Sequence, residues 1–138
     1  MSCLALLGTA YMRMTVQKQL SEAANAFLAS LNEQQTAKAT FKFDDDERFF
    51  FHFIPAEDVA KNYGRPRKGV PFVELPAPQR HLAHAMITAG LSQQGAIKAI
   101  TIMSLDDVLR IQEKDTTGRR NSDKYFVSHF GTPSDKGT

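Results

Sequence analysis

The sequence predicts a helix-rich α+β fold in one domain over residues 1–138. Three observations predict it. Apolar residues recur at helical spacing between Val16 and Leu31. Two aromatic stretches, near residues 40–54 and 124–130, alternate as strands do. Two further helical stripes, split by Gly90-Leu91-Ser92, predict a helical hairpin over residues 78–114.

The first element is an N-terminal helix. Val16, Leu20, Ala24, Phe27 and Leu31 fall on one helix face, while Lys18, Gln19, Glu22 and Asn25 take the others. The pattern allows a start as early as Leu4, and Asn32 is placed to cap the C-terminal end. The opening MSCLALLGTAYMRM is apolar, but no Lys or Arg precedes it, so the charged region of a secretory signal is missing. Residues 1–12 read as the first turns of the helix, with a disordered or misannotated N-terminus as the alternative.

Thr40 to Pro55 reads as extended. Phe41 and Phe43 alternate with polar neighbours, and DDDE makes a polar turn. In RFFFHFI, Phe49, Phe51 and Phe53 would share one face and Arg48, Phe50, His52 and Ile54 the other. A strand apolar on both faces is expected to be covered on both. Residues 56–76 form a loop in which AEDVAKNY supports a short helix stopped by Gly64.

In the hairpin, Pro78 suits a first helical turn, where its missing N–H costs nothing. Leu82, Ala85, Met86 and Ala89 form the stripe, Gly90 is suited to a left-handed stop, and Ser92 caps the next helix. From Ala96 to Met103 only Lys98 and Thr101 are polar, which predicts deep burial. Leu105, Val108, Leu109 and Gln112 continue one side, and Asp106 can pair with Arg110. DTTGRRNSD is a polar connection, and KYFVSHF a last strand with Tyr125, Val127 and His129 on one face.

The totals exclude several classes. A net charge of +2 is too small to imply nucleic acid or an anionic membrane surface, and no apolar run reaches membrane-span length. The single cysteine, Cys3, rules out an internal disulfide and agrees with a reducing, cytoplasmic setting over a secreted one. A soluble globular protein is the expectation.

Four residues are the candidates for chemistry. His52 sits among aromatics with Glu47 and Arg48 just upstream, an arrangement a general base would use. The competing reading is a strand histidine satisfied by a cross-strand partner. His84 lies one helical turn from His81, but a metal needs a third ligand, and no HExxH-type motif supplies one. Asp44, Asp45, Asp46 and Glu47 are consecutive acids with no bend glycine, so a capped turn is expected rather than a calcium loop. The basic run Arg65 to Lys68, with Arg119 and Arg120, could touch phosphate, though a solvated loop is the better expectation; Arg67 and Lys68 could instead pair with the DDDE acids across the fold. No motif encodes a cofactor or metal site.

Taken together, ANAFLASL, FDD-x-ER-x-x-x-HFIP, RKG-x-P, QR-x-LAHA, GLS-x-x-G, KA-x-x-IMSL-x-DVLR and FGTP form a specific set. Through them the chain resembles the N-terminal part of the "domain of unknown function 3500" family, from about Ala23 to Pro133. Phe51 stands where that family usually carries tryptophan. His52 and His84 fall within its HFIP and LAHA motifs, whereas His129 has no counterpart in it. The family continues past FGTP into tryptophan-, histidine- and asparagine-rich stretches, so the resemblance implies a truncated chain and an incomplete domain.

The family brings no established activity. The expectation is therefore a module that is non-catalytic on its own, partnered by the rest of its family domain or by a second copy. The alternative is the N-terminal half of a metal-dependent or acid–base hydrolase, with His52, His84, Glu47 and Arg48 lining one wall. Truncation also predicts that strands 48–54 and 125–130 lack their partners, leaving the isolated chain loosely folded or poorly soluble.

Overall fold

Helix α1, Ser2–Ser30, opens the computed structural model, which describes residues 2–52 and 54–134, with side chains from Val16 onward. Phe53 and residues 135–138 lie outside the described residues, so the expected aromatic face at Phe53 and the closing turn are not placed. The predicted stripe on α1 is buried only toward its C-terminal end. Ala24 and Phe27 are inside, whereas Val16 and Leu20 are exposed.

Asn32 does not end α1. It opens α2, Glu33–Ala39, a helix in the stretch before Thr40 to which the sequence pattern assigned no element. Its side chain accepts the Gln35 N–H at 2.9 Å while the Gln35 side chain accepts the Asn32 N–H at 3.0 Å. This reciprocal box satisfies two donors that a helix start leaves open. Buried Gln35 also donates to the Glu74 carbonyl and to the Gln79 side chain, both at 2.9 Å, tying α2 to the start of α4.

The strands are short and pair across the whole chain. β1, Thr40–Phe41, runs parallel to β4, His129–Phe130, and the Phe41 and Phe130 rings stack at 5.0 Å. β2, Val70–Pro71, runs antiparallel to β3, Phe126–Val127. The single last strand expected at KYFVSHF is therefore two strands that part at Ser128 to serve different sheets. Both find partners within the chain, against the expectation that truncation had removed them.

Between β1 and β2 the described residues of the expected strand at 48–54 form no strand. Asp45 accepts the Glu47 N–H at 2.9 Å and starts a 3-10 turn, Asp46–Phe49, so the backbone curls where the alternation had it extended. Phe49 and Phe51, read as core, are 70% and 81% exposed. The physical reason lies in the neighbours. Buried Glu47 anchors the turn, and the Arg48 guanidinium lies over the Phe43 and Phe49 rings, covering aromatic faces without a sheet. α3, Ala56–Tyr63, follows as predicted and stops at Gly64, which adopts φ +68°.

α4, Ala77–Gly90, and α5, Gln93–Gln112, succeed each other as a hairpin sequence, and Ser92 caps α5 by accepting the Gly95 N–H. Two details differ. Gly90 is not left-handed: it is the last helical residue, and a Cβ there would sit 3.3 Å from the Leu20 side chain. It closes the gap between α4 and α1, which is the main neighbour of α4. On α4 itself Ala83 is the buried position, with Leu82 and Met86 beside it, and Ala85 is exposed.

The second difference is larger. The first half of α5 is not deeply buried. It turns Ala96 and Met103 inward and leaves Ile97, Ile100 and Ile102 exposed at 59%, 41% and 51%. The core is built from Phe27, Ala39, Val70, Phe72, Leu75 and Ala83, so α1, α2, β2 and α4 close around it while α5 lies at its margin. No helix among the described residues is long and apolar enough to cross a membrane.

Candidate functional site

The 3-10 turn and the Arg65–Gly69 loop face each other and build the candidate site. Glu47 points inward, with its side chain 5% exposed, and one carboxylate oxygen meets Arg65 at 3.2 Å and Lys68 at 3.6 Å. Of the two cations expected to pair with the DDDE acids, Lys68 does so through Glu47, whereas Arg67 turns to backbone carbonyls and Arg65 takes its place. Arg65 lies 3.5 Å over the Phe50 ring, and Phe50 in turn meets His52 edge-on at 4.5 Å. Tyr63 closes the other side of the imidazole at 4.3 Å. His52 is thus clamped between two rings rather than set in a strand, and its buried Nε2 has no hydrogen-bond partner among the described residues.

Arg67 fixes the segment that carries His52. Its Nη2 donates to the His52 carbonyl at 2.7 Å and to the Ile54 carbonyl at 2.8 Å. The described residues Phe50–His52 and Ile54 have no ladder to satisfy them, and this one guanidinium takes two of their carbonyls. Burial pushes the Arg67 pKa down. The side chain lines three clefts at once, the largest of about 510 Å³.

One of the three, a cavity of about 270 Å³, lies between His52–Ala56, α5 and the segment 119–126. Three of the four cations that line it are organised by acids. Arg119 meets Asp58 at 2.7 Å, and Lys124 meets Glu57. Arg120 meets Glu113 at 3.0 Å and Asp106 at 3.5 Å, and the Glu113 contact raises its pKa. Asp106 therefore serves Arg120 and not Arg110. The Tyr125 hydroxyl donates weakly to the Ile102 carbonyl at 3.4 Å. Burial, with Asp106 beside it, pushes its pKa up to about 12, so it is a neutral phenol at every physiological pH.

The four residues picked from sequence do not converge. Glu47 and His52 belong to one connected stack, joined through Arg65 and Phe50. Arg48 turns away, donating to the Phe43 carbonyl at 3.0 Å. His84 packs against Phe72 at 5.2 Å and lines a separate cavity of about 200 Å³. His81 is exposed, and no cluster of potential metal ligands forms among the described residues. His129 is half-buried, and burial pushes its pKa down. Arg67 was the residue that sequence reasoning undervalued. The signal was there, since Arg67 opens the RKG-x-P stretch, but net charge pointed to a solvated loop.

No curated protein matches this chain, and no solved structure does. A family model described as "Protein of unknown function (DUF3500)" matches residues 13–138, which include every residue of the Glu47–Arg67 site. The stack at His52 and the loop at Arg67 lie within the matched residues, and the chain belongs to the DUF3500 family.

Proposed function

We propose that this chain is a protein-interaction module, not a self-contained catalyst, and that its contact surface is the outer face of α5. One observation carries the reading. Ile97, Ile100, Leu105, Val108 and Ile111 are each between 41% and 70% exposed and recur along one side of the helix. An isolated exposed isoleucine is ordinary, but a stripe along a 20-residue helix is the mark of an interface.

The occupant that fits is a second copy of the chain. The stripe has large apolar residues toward both ends, Ile97 and Ile111, and small Thr101 and Ser104 near its middle. Two such helices laid antiparallel set Ile97 against Ile111 and approach closely at Ser104, the self-complementarity a two-fold interface requires. The groups that could do chemistry support the non-catalytic half of the reading. Glu47 is held by two cations, Arg48 lies over rings, and His84 belongs to another cavity than His52.

Light scattering on the eluting protein tests this. A dimer is expected, and the double variant Ile100→Asp, Val108→Asp should be monomeric with an unchanged far-ultraviolet dichroism spectrum. A wild-type chain that stays monomeric at about 100 µM, well above the concentration where a standard-size interface forms, overturns it.

The buried, unpartnered Nε2 of His52 favours a second reading, as one wall of an acid–base or metal-dependent hydrolase completed by further residues. Metal content and a screen of ester and amide substrates in a longer family member, compared with its His52→Ala and His84→Ala counterparts, test that reading. Unchanged values in folded variants exclude it.

A further inference from the structure

The cavity of about 270 Å³ holds one cation unlike its neighbours. Arg119, Arg120 and Lys124 each face a carboxylate, from Asp58, Glu113 and Glu57. Arg67 faces none among the described residues. Its hydrogen bonds run to two backbone carbonyls, both from Nη2, and its guanidinium lies 5.9 Å from the centre of the Phe126 ring, which leaves the N–H groups of Nη1 and Nε without a hydrogen-bond acceptor there. A carbonyl orients a guanidinium but does not neutralise it, and a half-buried charge with no counter-ion is costly.

A second unsatisfied group shares the cavity. His52 lines it, and Nε2 of the ring is buried with no partner among the described residues. Arg67 holds the His52 carbonyl, so the two groups are mechanically linked. Around them the walls are apolar: Ile54, Ile102 and Phe126. The remaining cations are already paired, so they shape the rim without competing for a ligand.

We propose that this cavity binds a small organic oxyanion, a carboxylate or a phosphate monoester with a compact apolar body, and that Arg67 is its charge partner. A guanidinium suits such a group because its planar N–H array matches two oxygens at once. The apolar walls take the body of the ligand, and the clamped His52 ring forms part of the wall beside Arg67. The site is independent of the outer face of α5, since Ile102 and Asp106 reach the cavity from another side of that helix.

Calorimetric titration of the full chain with benzoate, phenyl phosphate and neutral benzamide tests the proposal. Benzoate or phenyl phosphate should bind at least tenfold more tightly than benzamide, and the better of the two identifies the oxyanion class. Arg67→Met should weaken that binding at least tenfold. Lys38→Met, which removes a cation outside this cavity, should leave it within twofold. In case Arg67→Met does not fold, nitrogen-15 spectra of the wild-type chain give a second readout. Ligand-induced shifts should concentrate at residues 52–56, 102–106 and 120–126 and at the Arg67 side chain. Equal affinity for benzamide, equal loss in Lys38→Met, or shifts scattered over the basic surface overturns it.

Discussion

Glu47 and Arg65 meet at 3.2 Å, and the acid is the buried partner, its side chain 5% exposed against 46% for the arginine. Removing the arginine would leave a buried carboxylate with Lys68 alone, and removing the acid leaves two cations facing each other. Glu47→Gln keeps the shape and deletes the charge. It should cost about 1–3 kcal/mol, below the full penalty for breaking a buried pair because both cations are half in water. Urea denaturation measures it. Arg65→Met should cost less, by the same argument, and a larger loss in Arg65→Met than in Glu47→Gln would contradict the assignment.

Two glycines separate backbone strain from steric fit. Gly64 has φ +68° with open space around a would-be Cβ, whereas Gly69 has φ +108° and would place a Cβ 2.6 Å from the Ser128 hydroxyl and 2.9 Å from the Val127 carbonyl. Gly64→Ala should cost about 1 kcal/mol, the left-handed penalty alone. Gly69→Ala adds displacement of the β3 backbone and should cost about 2–4 kcal/mol. Thermal melts of the two variants side by side give the comparison, and equal losses would mean that β3 yields freely.

His129 should make stability depend on pH near neutrality. Burial lowers its folded-state pKa below the ordinary 6.5, against a smaller opposing effect of a backbone hydrogen bond at Gly131. The unfolded chain therefore binds the proton more readily. Stability from this group is fully present above pH 6.5 and is lost as pH falls from there toward the folded value. His129→Phe should flatten that part of a stability–pH curve measured by urea denaturation, and a slope that survives the substitution would assign it to another group.

Asp115 contributes to the acid limb, beside Glu57 and Glu113, whose pKa values are also lowered. It accepts the Arg120 N–H at 2.7 Å, the Thr117 N–H at 2.8 Å and the Thr117 hydroxyl at 2.6 Å. These bonds, the Arg120 N–H first, hold its pKa at about 2 against an ordinary 3.8. The sign is that of a depressed acid: the contribution is complete above the unfolded value and fades as pH falls from 3.8 toward 2. Asp115→Asn should make the fall below pH 3.8 shallower, read as the acid midpoint in dichroism melts. It should also loosen the turn that presents Arg120 to Glu113.

Local rules carried most of the helices. The α3 stop at Gly64, the Ser92 cap and the buried pair Ala24 and Phe27 all follow from spacing and cap chemistry. Where tertiary partners decide, the sequence misleads. Phe49 and Phe51 alternate like strand residues, yet a capping aspartate and an arginine over the rings curl that segment outward. Asn32 reads equally well as an end or a start, and only Gln35 reaching back shows which. At the site, the Glu47 pairing with the basic loop was foreseeable from charge. The role of Arg67 was not, because a bond from a side chain to carbonyls far back along the chain leaves no trace in local pattern.

The two strand pairings carry a consequence for how the protein is made. Residues 126–130 supply both β3 and β4, so Thr40 must wait for His129, and Val70 for Val127. On a ribosome these partners emerge long after the strands they complete, and a nascent chain stalled before Phe126 exposes two open strand edges beside Phe41 and Val70. Slow translation across DTTGRRNSD would lengthen that vulnerable interval, and long-range pairing of this kind is where a newborn chain aggregates or recruits a chaperone.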